Sequence, residues 1–401
     1  MLSSYSNADT FKKQLFDFKL KALTLFWAIA PRGILRLLPG SSRSFGPPRR
    51  IASWKSYRTH SSGEWREVFP EVPANLPKPF FQNDSTVSFA MPSPGVWPAA
   101  GVAIIPGGRI LDEHGWVVGA DDTFLGEFCQ LGLDRRSRVN HTLKLNAPRS
   151  LRGRTLNLCS VHAFANYFHY VVDAVGRVAL LKPAGFSWGD FDHIVMPRFR
   201  STASAEIDAA IEIPMDRVIR MGRRDQFICD TLIQPSFPGL NTRTPPWVVS
   251  FYQNLFPASG RPRTRRLYFG REGKRSAVNA RDIDALMMSH GFEKVDPMKT
   301  PDLRARLAEA SHIVGVHGAA LTNLLFCPPG TRVLEIMPTD VSGFFSRFYY
   351  FTLTAGGRMP YGVVIGKSLR GRSLNLFGQS WSDFHVDSEQ LKSGVDALLE
   401  V

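Results

Sequence analysis

The chain has 401 residues, of which 44% are hydrophobic and 21% are charged, and its formal net charge at pH 7 is +14. This length exceeds the usual size of a single hydrophobic core and predicts two domains with a smaller appendage, while the composition excludes long disorder. The four cysteines are too far apart for a disulfide framework or a zinc cluster, and the positive charge favours a polyanionic partner: nucleic acid, anionic lipid or a phosphorylated substrate.

The first 38 residues are predicted to form a basic amphipathic segment. No apolar run reaches the roughly 18 to 20 residues that a membrane-spanning helix needs. Six apolar residues recur at helical spacing beside lysines and arginines, namely Phe11, Leu15, Phe18, Ala22, Leu25 and Phe26. Such a helix could lie on an anionic membrane surface or pack on the protein's own core, and both interpretations stay open. Asp17, within a long charged region, argues against a cleaved signal peptide.

Residues 39–150 are predicted to be a linker followed by a small β-rich segment. Up to residue 100 the sequence is rich in Pro, Ser, Gly and Trp, without a sustained helical period. From Val102 to Gly126, short apolar runs alternate with glycine turns, which is typical of hairpins.

Two α/β regions follow, at residues 151–258 and 259–375, and residues 376–401 are predicted to be a C-terminal tail or helix. In both regions helical and strand patterns alternate, which favours βαβ units and a parallel sheet. The first region contains a predicted helix over 165–181, a strand over 193–196, a helix over 203–212 and strands near Val218 and Thr231. The second contains predicted strands at 266–269, 294–295, 312–316 and 332–337, with helices at 279–290, 300–310 and 320–326.

The predicted helix over 165–181 carries a polar stripe. At 3.6 residues per turn one face presents four polar side chains, namely Asn166, His169, Asp173 and Arg177. A sugar hydroxyl that attacks an anomeric carbon needs a base, and a positioned Asp or His is the usual choice. We assign the base to Asp173, with His169 as its neighbour or substitute. A surface helix with ordinary charge pairs explains the spacing equally well.

A second constellation lies where a predicted buried strand runs into small residues. His317, Gly318 and Ala319 begin a helix that contains Asn323, so backbone N–H groups could approach a pyrophosphate closely. Glu335 ends the next strand and could accept hydrogen bonds from ribose hydroxyls. A tight turn whose small residues serve packing is the alternative interpretation.

The third constellation is a basic loop after the strand at 266–269. Arg271 and Arg275 could hold a diphosphate through bidentate contacts. The spacing of Gly270 and Gly273 excludes a P-loop. A solvated basic loop is the commoner meaning of such a run.

Together these motifs resemble glycosyltransferase family 61, in its bacterial surface or capsular polysaccharide type. The matching residues, in order, are Asn166, His169, Asp173, Arg177, Phe269–Arg271, Arg275, Asn279, Gly291, Phe292, His317–Ala319, Asn323, Phe326, Pro329, Gly330, Glu335 and Pro338. Gly270 replaces the family's Ser, and Ala280 replaces an acidic residue. These departures concern details of the donor more than the reaction.

The resemblance implies a GT-B-like α/β fold, in which two Rossmann-like domains face each other across a cleft. It also implies inversion at the anomeric carbon, no required metal and no cofactor besides the nucleotide-sugar substrate. The acceptor domain would be 151–258 and the nucleotide-sugar domain 259–375. Donor-binding residues would be Arg271, Arg275, His317, Gly318, Ala319, Asn323 and Glu335, with Asn166 and Arg177 binding or supporting the acceptor.

The expected partners are a nucleotide sugar, a carbohydrate or glycolipid acceptor and, through the N-terminal segment, an anionic membrane surface. The expected location is the cytoplasm, at the inner face of the cell membrane. One alternative is a non-catalytic carbohydrate-binding relative of the same fold. The other is a nucleic-acid-binding protein, which is disfavoured because the basic residues are not interleaved with stacking aromatic residues on one helix.

Overall fold

The computed structural model describes residues 50–401 except 94, 129–145, 200, 239–242, 258–259, 274–275, 298, 343–344 and 370–382. The predicted N-terminal helix therefore lies outside the described residues. The described part of the chain divides into two compact units: unit 1 comprises residues 50–70 and 99–238, and unit 2 comprises residues 71–98 and 243–401, each without the gaps given above. No described helix is both long enough and apolar enough to cross a bilayer.

The strands in chain order are β1 (Arg50–Ala52), β2 (Glu64–Phe69), β3 (Val72–Pro73), β4 (Val96–Trp97), β5 (Ala100–Pro106), β6 (Arg109–Leu111), β7 (Trp116–Val118), β8 (Thr123–Leu125), β9 (Arg149–Asn157), β10 (His193–Pro197), β11 (Val218–Met221), β12 (Gln226–Pro235), β13 (Arg265–Phe269), β14 (Glu293–Lys294), β15 (Ala310–Val316), β16 (Arg332–Pro338), β17 (Tyr361–Ser368) and β18 (Phe384–His385). The α-helices are α1 (Trp54–Arg58), α2 (Thr202–Ala210), α3 (Pro246–Leu255), α4 (Ala280–Ser289), α5 (Leu303–Ala308), α6 (Thr339–Ser342), α7 (Phe348–Gly356) and α8 (Ser388–Glu400). A π-helical turn covers His169–Ala174, and 3-10 helices cover Gly126–Phe128, Val175–Leu180, Trp188–Asp190, Met215–Arg217, Ala319–Phe326 and Phe345–Arg347.

Unit 1 is built on a ten-stranded mixed sheet. Its main order is β1-β8-β7-β6-β12-β9-β10-β11, with β5 paired to β12 and β2 paired to β5. The four strands β12, β9, β10 and β11 are parallel to one another. The parallel sheet predicted for residues 151–258 is therefore present, and its apolar strands are buried as a strand covered on both faces requires.

The sheet of unit 1 crosses the predicted boundary at residue 150. β6 and β7 form the antiparallel hairpin that the sequence predicts. However, β5 and β6 pair side by side along β12, and β1 and β2 also join the sheet, so residues 50–125 contain more than a linker. Alternating apolar residues predict that a strand exists but do not say which strand it pairs with.

The predicted helix over 165–181 is present but is not a regular α-helix. A π-helical turn, His169–Ala174, is followed directly by a 3-10 helix, Val175–Leu180. The backbone N–H of Val175 donates to the carbonyls of Tyr170 and Val171, so the hydrogen bonds change register at this point. π-turns are rare and occur frequently at functional sites.

Unit 2 contains a six-stranded sheet in the order β14-β13-β15-β16-β17-β18, and all neighbours except β17 and β18 are parallel. Every strand predicted between 266 and 337 is present, and the predicted helix at 320–326 is a 3-10 helix. The chain runs from β13 to β14 on one side and then returns to β15 on the other. The strand order therefore reverses between β13 and β15, at the position where open α/β sheets bind ligands beyond the carboxyl ends of their strands.

Candidate active site

A buried polar network closes the carboxyl ends of β9 and β12 in unit 1. The side-chain amide of Asn157 donates to Gln234 Oε1 at 2.7 Å and to the carbonyl of Gly115 at 2.9 Å. Asn157 Oδ1 accepts a hydrogen bond from the backbone N–H of Cys159 at 3.0 Å. Both amide side chains are fully buried, so these hydrogen bonds replace lost water and fix the start of the segment that leads to the π-turn.

Arg177 anchors the helical segment to the same edge of the sheet. Its guanidinium donates to the carbonyls of Cys159 at 2.7 Å and Pro235 at 3.2 Å, and it lies over the ring of Phe237. The side chain is fully buried, and burial lowers the pKa of Arg177 to about 10. Arg177 therefore acts as a structural support within unit 1.

His169 and Asp173 are in direct contact on the π-turn. His169 Nδ1 lies 2.6 Å from Asp173 Oδ2, and both side chains are largely buried, with exposed fractions of 13% and 6%. A carboxylate that accepts a hydrogen bond from Nδ1–H fixes the tautomer and orientation of an imidazole and stabilises its charged form. The pair has the composition and geometry of a proton acceptor. Asn166, one turn earlier, accepts a hydrogen bond from the N–H of Phe168 and caps the segment.

A second hydrogen-bonded group, which includes Tyr170 of the π-turn, connects this turn to the rest of unit 1. The buried hydroxyl of Tyr170 donates to both oxygens of Asp208, at 2.6 and 2.7 Å, and Arg220 donates to the same carboxylate at 3.3 Å. Burial and the charge of Asp208 raise the pKa of Tyr170, which keeps the phenol as a donor. The ring of His162, a residue with φ of +67°, lies 5.5 Å from the ring of His169. Such backbone conformations of non-glycine residues occur preferentially at functional sites.

In unit 2, Arg271 and His317 meet where the strand order reverses. Arg271 follows β13, His317 follows β15, and Arg271 Nη1 donates to the carbonyl of His317 at 2.9 Å. A Cβ atom on Gly318 would collide with the same Nη1, so the absence of a side chain there lets the guanidinium lie on the turn. Burial lowers the pKa of Arg271, because it removes water from the charged guanidinium. An anion bound at this position would stabilise the charged form.

The carboxylate of Glu335 is buried and contacts the imidazole of His317. His317 Nδ1 is 2.5 Å from Glu335 Oε1, and the hydroxyl of Tyr361 donates to Glu335 Oε2 at 2.7 Å. Glu335 is fully buried, so it does not present the carboxylate to a ribose as the sequence predicts. The sequence predicts that Glu335 ends its strand, but it is the fourth residue of β16, and Tyr361 and His317 bind both of its oxygens.

The remaining predicted donor residues differ in their placement. Ala319 is half-buried at the start of the 3-10 helix. Asn323 is buried further along this helix, and its amide donates to the carbonyl of Ala320 at 2.8 Å, which indicates a structural role. Arg275 lies outside the described residues.

Most of the basic run that precedes Arg271 is engaged with unit 2 itself. Arg261 and Arg265 pair with Glu309 at 3.1 and 2.8 Å. Arg266 donates to the carbonyl of His290 at 2.8 Å, and Arg263 donates to that of Pro329. These contacts account for much of the local charge without a polyanionic partner.

Carboxylates that could bind a metal occur in three places. The described residues contain one group whose ligand atoms lie within 4.8 Å of one another, namely Asp112, Glu113 and His114. Two Asp-x-Asp sequences are also present, at 190–192 and 282–284. The Asp190 carboxylate accepts a hydrogen bond from the backbone N–H of Ser187 and forms an ion pair with Arg154. Asp284 forms an ion pair with Lys294. The Asp-x-Asp carboxylates named here therefore make local structural contacts.

The family model described as glycosyltransferase 61 matches residues 167–334, less than half of the chain. The matched range includes His169, Asp173, Arg271 and His317, and ends immediately before Glu335. The match supports glycosyltransferase family 61 and, with it, a transferase that uses a sugar donor and a carbohydrate acceptor. The mixed α/β architecture with parallel strands is consistent with a Rossmann-like glycosyltransferase. No curated protein matches the chain.

Several side chains in these sites have no sequence signal, among them Tyr361 and His162. Tyr361 begins a strand that the predicted pattern did not include, and only its contact with Glu335 reveals it. His162 precedes the predicted helix, and its positive φ is uncommon even among histidines, so the residue type alone does not predict it.

Proposed function

We propose that the protein is an inverting glycosyltransferase that moves a sugar from a nucleotide-sugar donor to a carbohydrate or glycolipid acceptor without a metal ion. The observation that carries the proposal is the contact between His169 and Asp173 at 2.6 Å, within the residues that the family model matches. A proton acceptor is the one chemical group that direct attack by a hydroxyl requires from the protein. The GT-B arrangement of two facing domains remains part of the proposal.

In the proposed reaction the acceptor hydroxyl oxygen forms a bond to the anomeric carbon of the donor. The bond between that carbon and the phosphate oxygen breaks, and its electron pair leaves with the nucleoside diphosphate. The hydroxyl proton passes to the His169–Asp173 pair. A single displacement from the opposite face inverts the anomeric configuration, through a transition state with oxocarbenium character.

The donor diphosphate is assigned to unit 2. Negative charge develops on the leaving phosphate, and prearranged cations and backbone N–H groups stabilise it without a metal. Arg271 on Gly318 provides a delocalised cation at the strand reversal, and the 3-10 helix from Ala319 begins beside it. Arg275 is assigned to the same role from the sequence alone.

The cellular setting is proposed from the sequence. The excess positive charge of the first 38 residues, together with their apolar helical face, suits a peripheral position on anionic lipids at the cytoplasmic face of the membrane. A glycolipid acceptor in surface polysaccharide synthesis would be reached from this position.

The test is nucleotide release from a panel of nucleotide sugars, with and without candidate oligosaccharide acceptors. We expect acceptor-dependent release by the wild type, loss of release in His169→Ala, and a product of inverted configuration by NMR. Turnover unchanged by a chelator is expected for a metal-independent enzyme. Donor binding without release, across the panel, would contradict the proposal and favour the non-catalytic carbohydrate-binding relative.

A further inference from the structure

Three buried side chains form a continuous hydrogen-bonded chain across the sheet of unit 2. Tyr361 on β17 donates to Glu335 on β16 at 2.7 Å, and Glu335 contacts Nδ1 of His317, after β15, at 2.5 Å. The three strands are adjacent and parallel, so the chain crosses the sheet diagonally, from the first residue of β17 through the middle of β16 to the residue that follows β15. Only His317 reaches the turn on which Arg271 lies.

The donors and acceptors in this chain can be assigned from its chemistry. Burial and the neighbouring carboxylate raise the pKa of Tyr361 well above its usual value, so the phenol keeps its proton and donates. An ionised carboxylate accepts hydrogen bonds and donates none. Glu335 therefore accepts from Tyr361 through one oxygen and from His317 Nδ1–H through the other, which fixes the orientation of the imidazole.

The charge of Glu335 has one partner among the described residues. A fully buried carboxylate is costly unless a cation compensates it, and the ion pair found for Glu335 in the described part of the chain is with His317. The other ionisable groups near the pair are Tyr349 and Tyr350 on α7, and Arg271. An imidazole that donates to this carboxylate through Nδ1 and to a second anion through Nε2 carries a proton on each nitrogen.

Nε2 is the atom of His317 that remains for a ligand. No group among the described residues forms a hydrogen bond with it, whereas Nδ1 and the backbone carbonyl are occupied. The Arg271 guanidinium donates to the backbone carbonyl of His317, so it lies on the same turn as the His317 imidazole, and a guanidinium N–H and an Nε2–H are both donors. Two such donors suit a phosphate oxygen pair.

We propose that Tyr361 and Glu335 are positioning residues, which hold His317 so that Nε2–H donates to a phosphate oxygen of a bound diphosphate. The inference rests on the proposed function, because it specifies how the donor site in unit 2 recognises its anion. It also gives Glu335 a role other than contact with ribose. Since both residues act through His317, their substitution should change the imidazole as well as the affinity.

The experiment measures inorganic pyrophosphate binding by calorimetry and the imidazole ¹⁵N signals of His317 by NMR, in the full chain. Glu335→Gln keeps the shape but removes the charge, and should weaken pyrophosphate binding roughly 10- to 100-fold, the value of a charge-assisted hydrogen bond. Its His317 imidazole signals should shift, because the charged acceptor of the Nδ1–H hydrogen bond is replaced by a neutral amide. Tyr361→Phe removes one hydroxyl and should weaken binding by less, about 3- to 10-fold.

Tyr268→Phe is the matched control. Tyr268 is a buried tyrosine of unit 2 that bonds Asp284, so its loss tests whether any buried hydroxyl matters, and we expect wild-type affinity and His317 signals. Should Glu335→Gln fail to fold, Tyr361→Phe carries the same test with a smaller perturbation.

The outcomes separate this inference from the proposed function. Wild-type affinity and unchanged His317 signals in Glu335→Gln and Tyr361→Phe would overturn the inference and leave the donor site standing. Pyrophosphate binding that depends on Glu335, in a protein that never transfers sugar, would support the inference and contradict the proposed function. A wild type that does not bind pyrophosphate would overturn the inference, whereas the proposed function is tested separately by nucleotide release.

Discussion

His169 and Asp173 lie on one π-helical turn, with Nδ1 of the imidazole 2.6 Å from the carboxylate. A carboxylate that accepts a hydrogen bond from Nδ1–H holds the imidazole in one orientation and one tautomer, which leaves Nε2 as the nitrogen that can accept a proton. The pair is therefore best treated as one proton-accepting unit. The sequence-based prediction instead assigns the base to Asp173, with His169 as its neighbour or substitute.

The first prediction is that substitutions in this pair are not additive. Asp173→Asn should lower turnover roughly 10²- to 10⁴-fold with donor affinity near normal, because the amide cannot accept the proton. His169→Ala should also be severely impaired, and the double variant should lose no more than the worse single variant. Turnover and donor affinity of all three variants are measured beside wild type.

The control for these three variants is Asp216→Asn, which changes an exposed carboxylate of the same unit and should leave turnover unchanged. If the loss of turnover in the double variant equals the product of the two single losses, the two residues act independently. Near-normal turnover in both single variants would mean that the pair is structural.

The second prediction concerns Arg271. Arg271→Ala should weaken donor binding and lower turnover, because it removes the cation that lies on Gly318. Arg271→Lys should not fully restore either value, since an ammonium group cannot reproduce the bidentate guanidinium. Arg263→Ala is the control, because that exposed guanidinium bonds only a carbonyl among the contacts described. Equal donor affinities in all four proteins would remove Arg271 from the donor site.

The fold of both parallel sheets could be predicted from sequence because their strands are short apolar runs between helical patterns. Every strand from β13 to β16 lies within a few residues of its predicted position. The pairing of β5 and β6 with β12 could not be predicted, since it depends on contacts between segments more than 100 residues apart. Likewise β17 lay outside the predicted pattern although it completes the buried network.

The sequence predicted several residues of the candidate sites, but it did not predict which other residues each of them contacts. Helical spacing correctly brings His169 beside Asp173, yet the same spacing predicts that Arg177 shares their polar stripe. In the structure Arg177 is fully buried and donates to two backbone carbonyls, so contacts that helical spacing does not describe determine its surroundings. Glu335 faces inward for a similar reason, since Tyr361 and His317 bind both of its oxygens.

The third prediction concerns the N-terminal segment, which the sequence alone describes. Removal of the first 38 residues should weaken sedimentation with anionic vesicles and leave activity on a soluble acceptor largely intact. Neutral vesicles are the control, because the attraction of basic residues requires anionic lipid. Equal binding of the truncated and full-length proteins to anionic vesicles would contradict the membrane role.

The fourth prediction tests the packing of the β6–β7 turn on the polar network of unit 1. In Gly115→Ala the new Cβ would collide with Cys159 and approach Asn157 Oδ1, at a residue with φ of +68°. Gly185→Ala is the matched control in the same unit, with φ of +81° but its nearest neighbour at 3.6 Å. We expect a loss of about 1 to 2 kcal/mol in unfolding free energy for the control. Overpacking should add about 1 to 3 kcal/mol at Gly115. Equal losses of unfolding free energy in the two variants would show that the turn can move away from Cys159 and relieve the collision.

The last prediction concerns stability at mildly acidic pH and depends on His312 at the amino end of the β15 strand. Burial, with Arg332 and Arg266 nearby, lowers the pKa of His312 to about 4, whereas an unfolded histidine has a pKa of about 6.5. Between these values the unfolded chain binds the additional proton, so this contribution to stability is complete above pH 6.5 and is lost as the pH falls toward 4. His312 Nε2 accepts a hydrogen bond from Arg332 at 3.1 Å, and the amide oxygen of His312→Gln can replace this acceptor without titrating. Denaturant unfolding measured at pH 5 and pH 7 should therefore show a larger loss of stability in the wild type than in His312→Gln. Comparing the two proteins cancels the other titrating groups, and parallel losses would mean that His312 has the same proton affinity in the folded and unfolded chains.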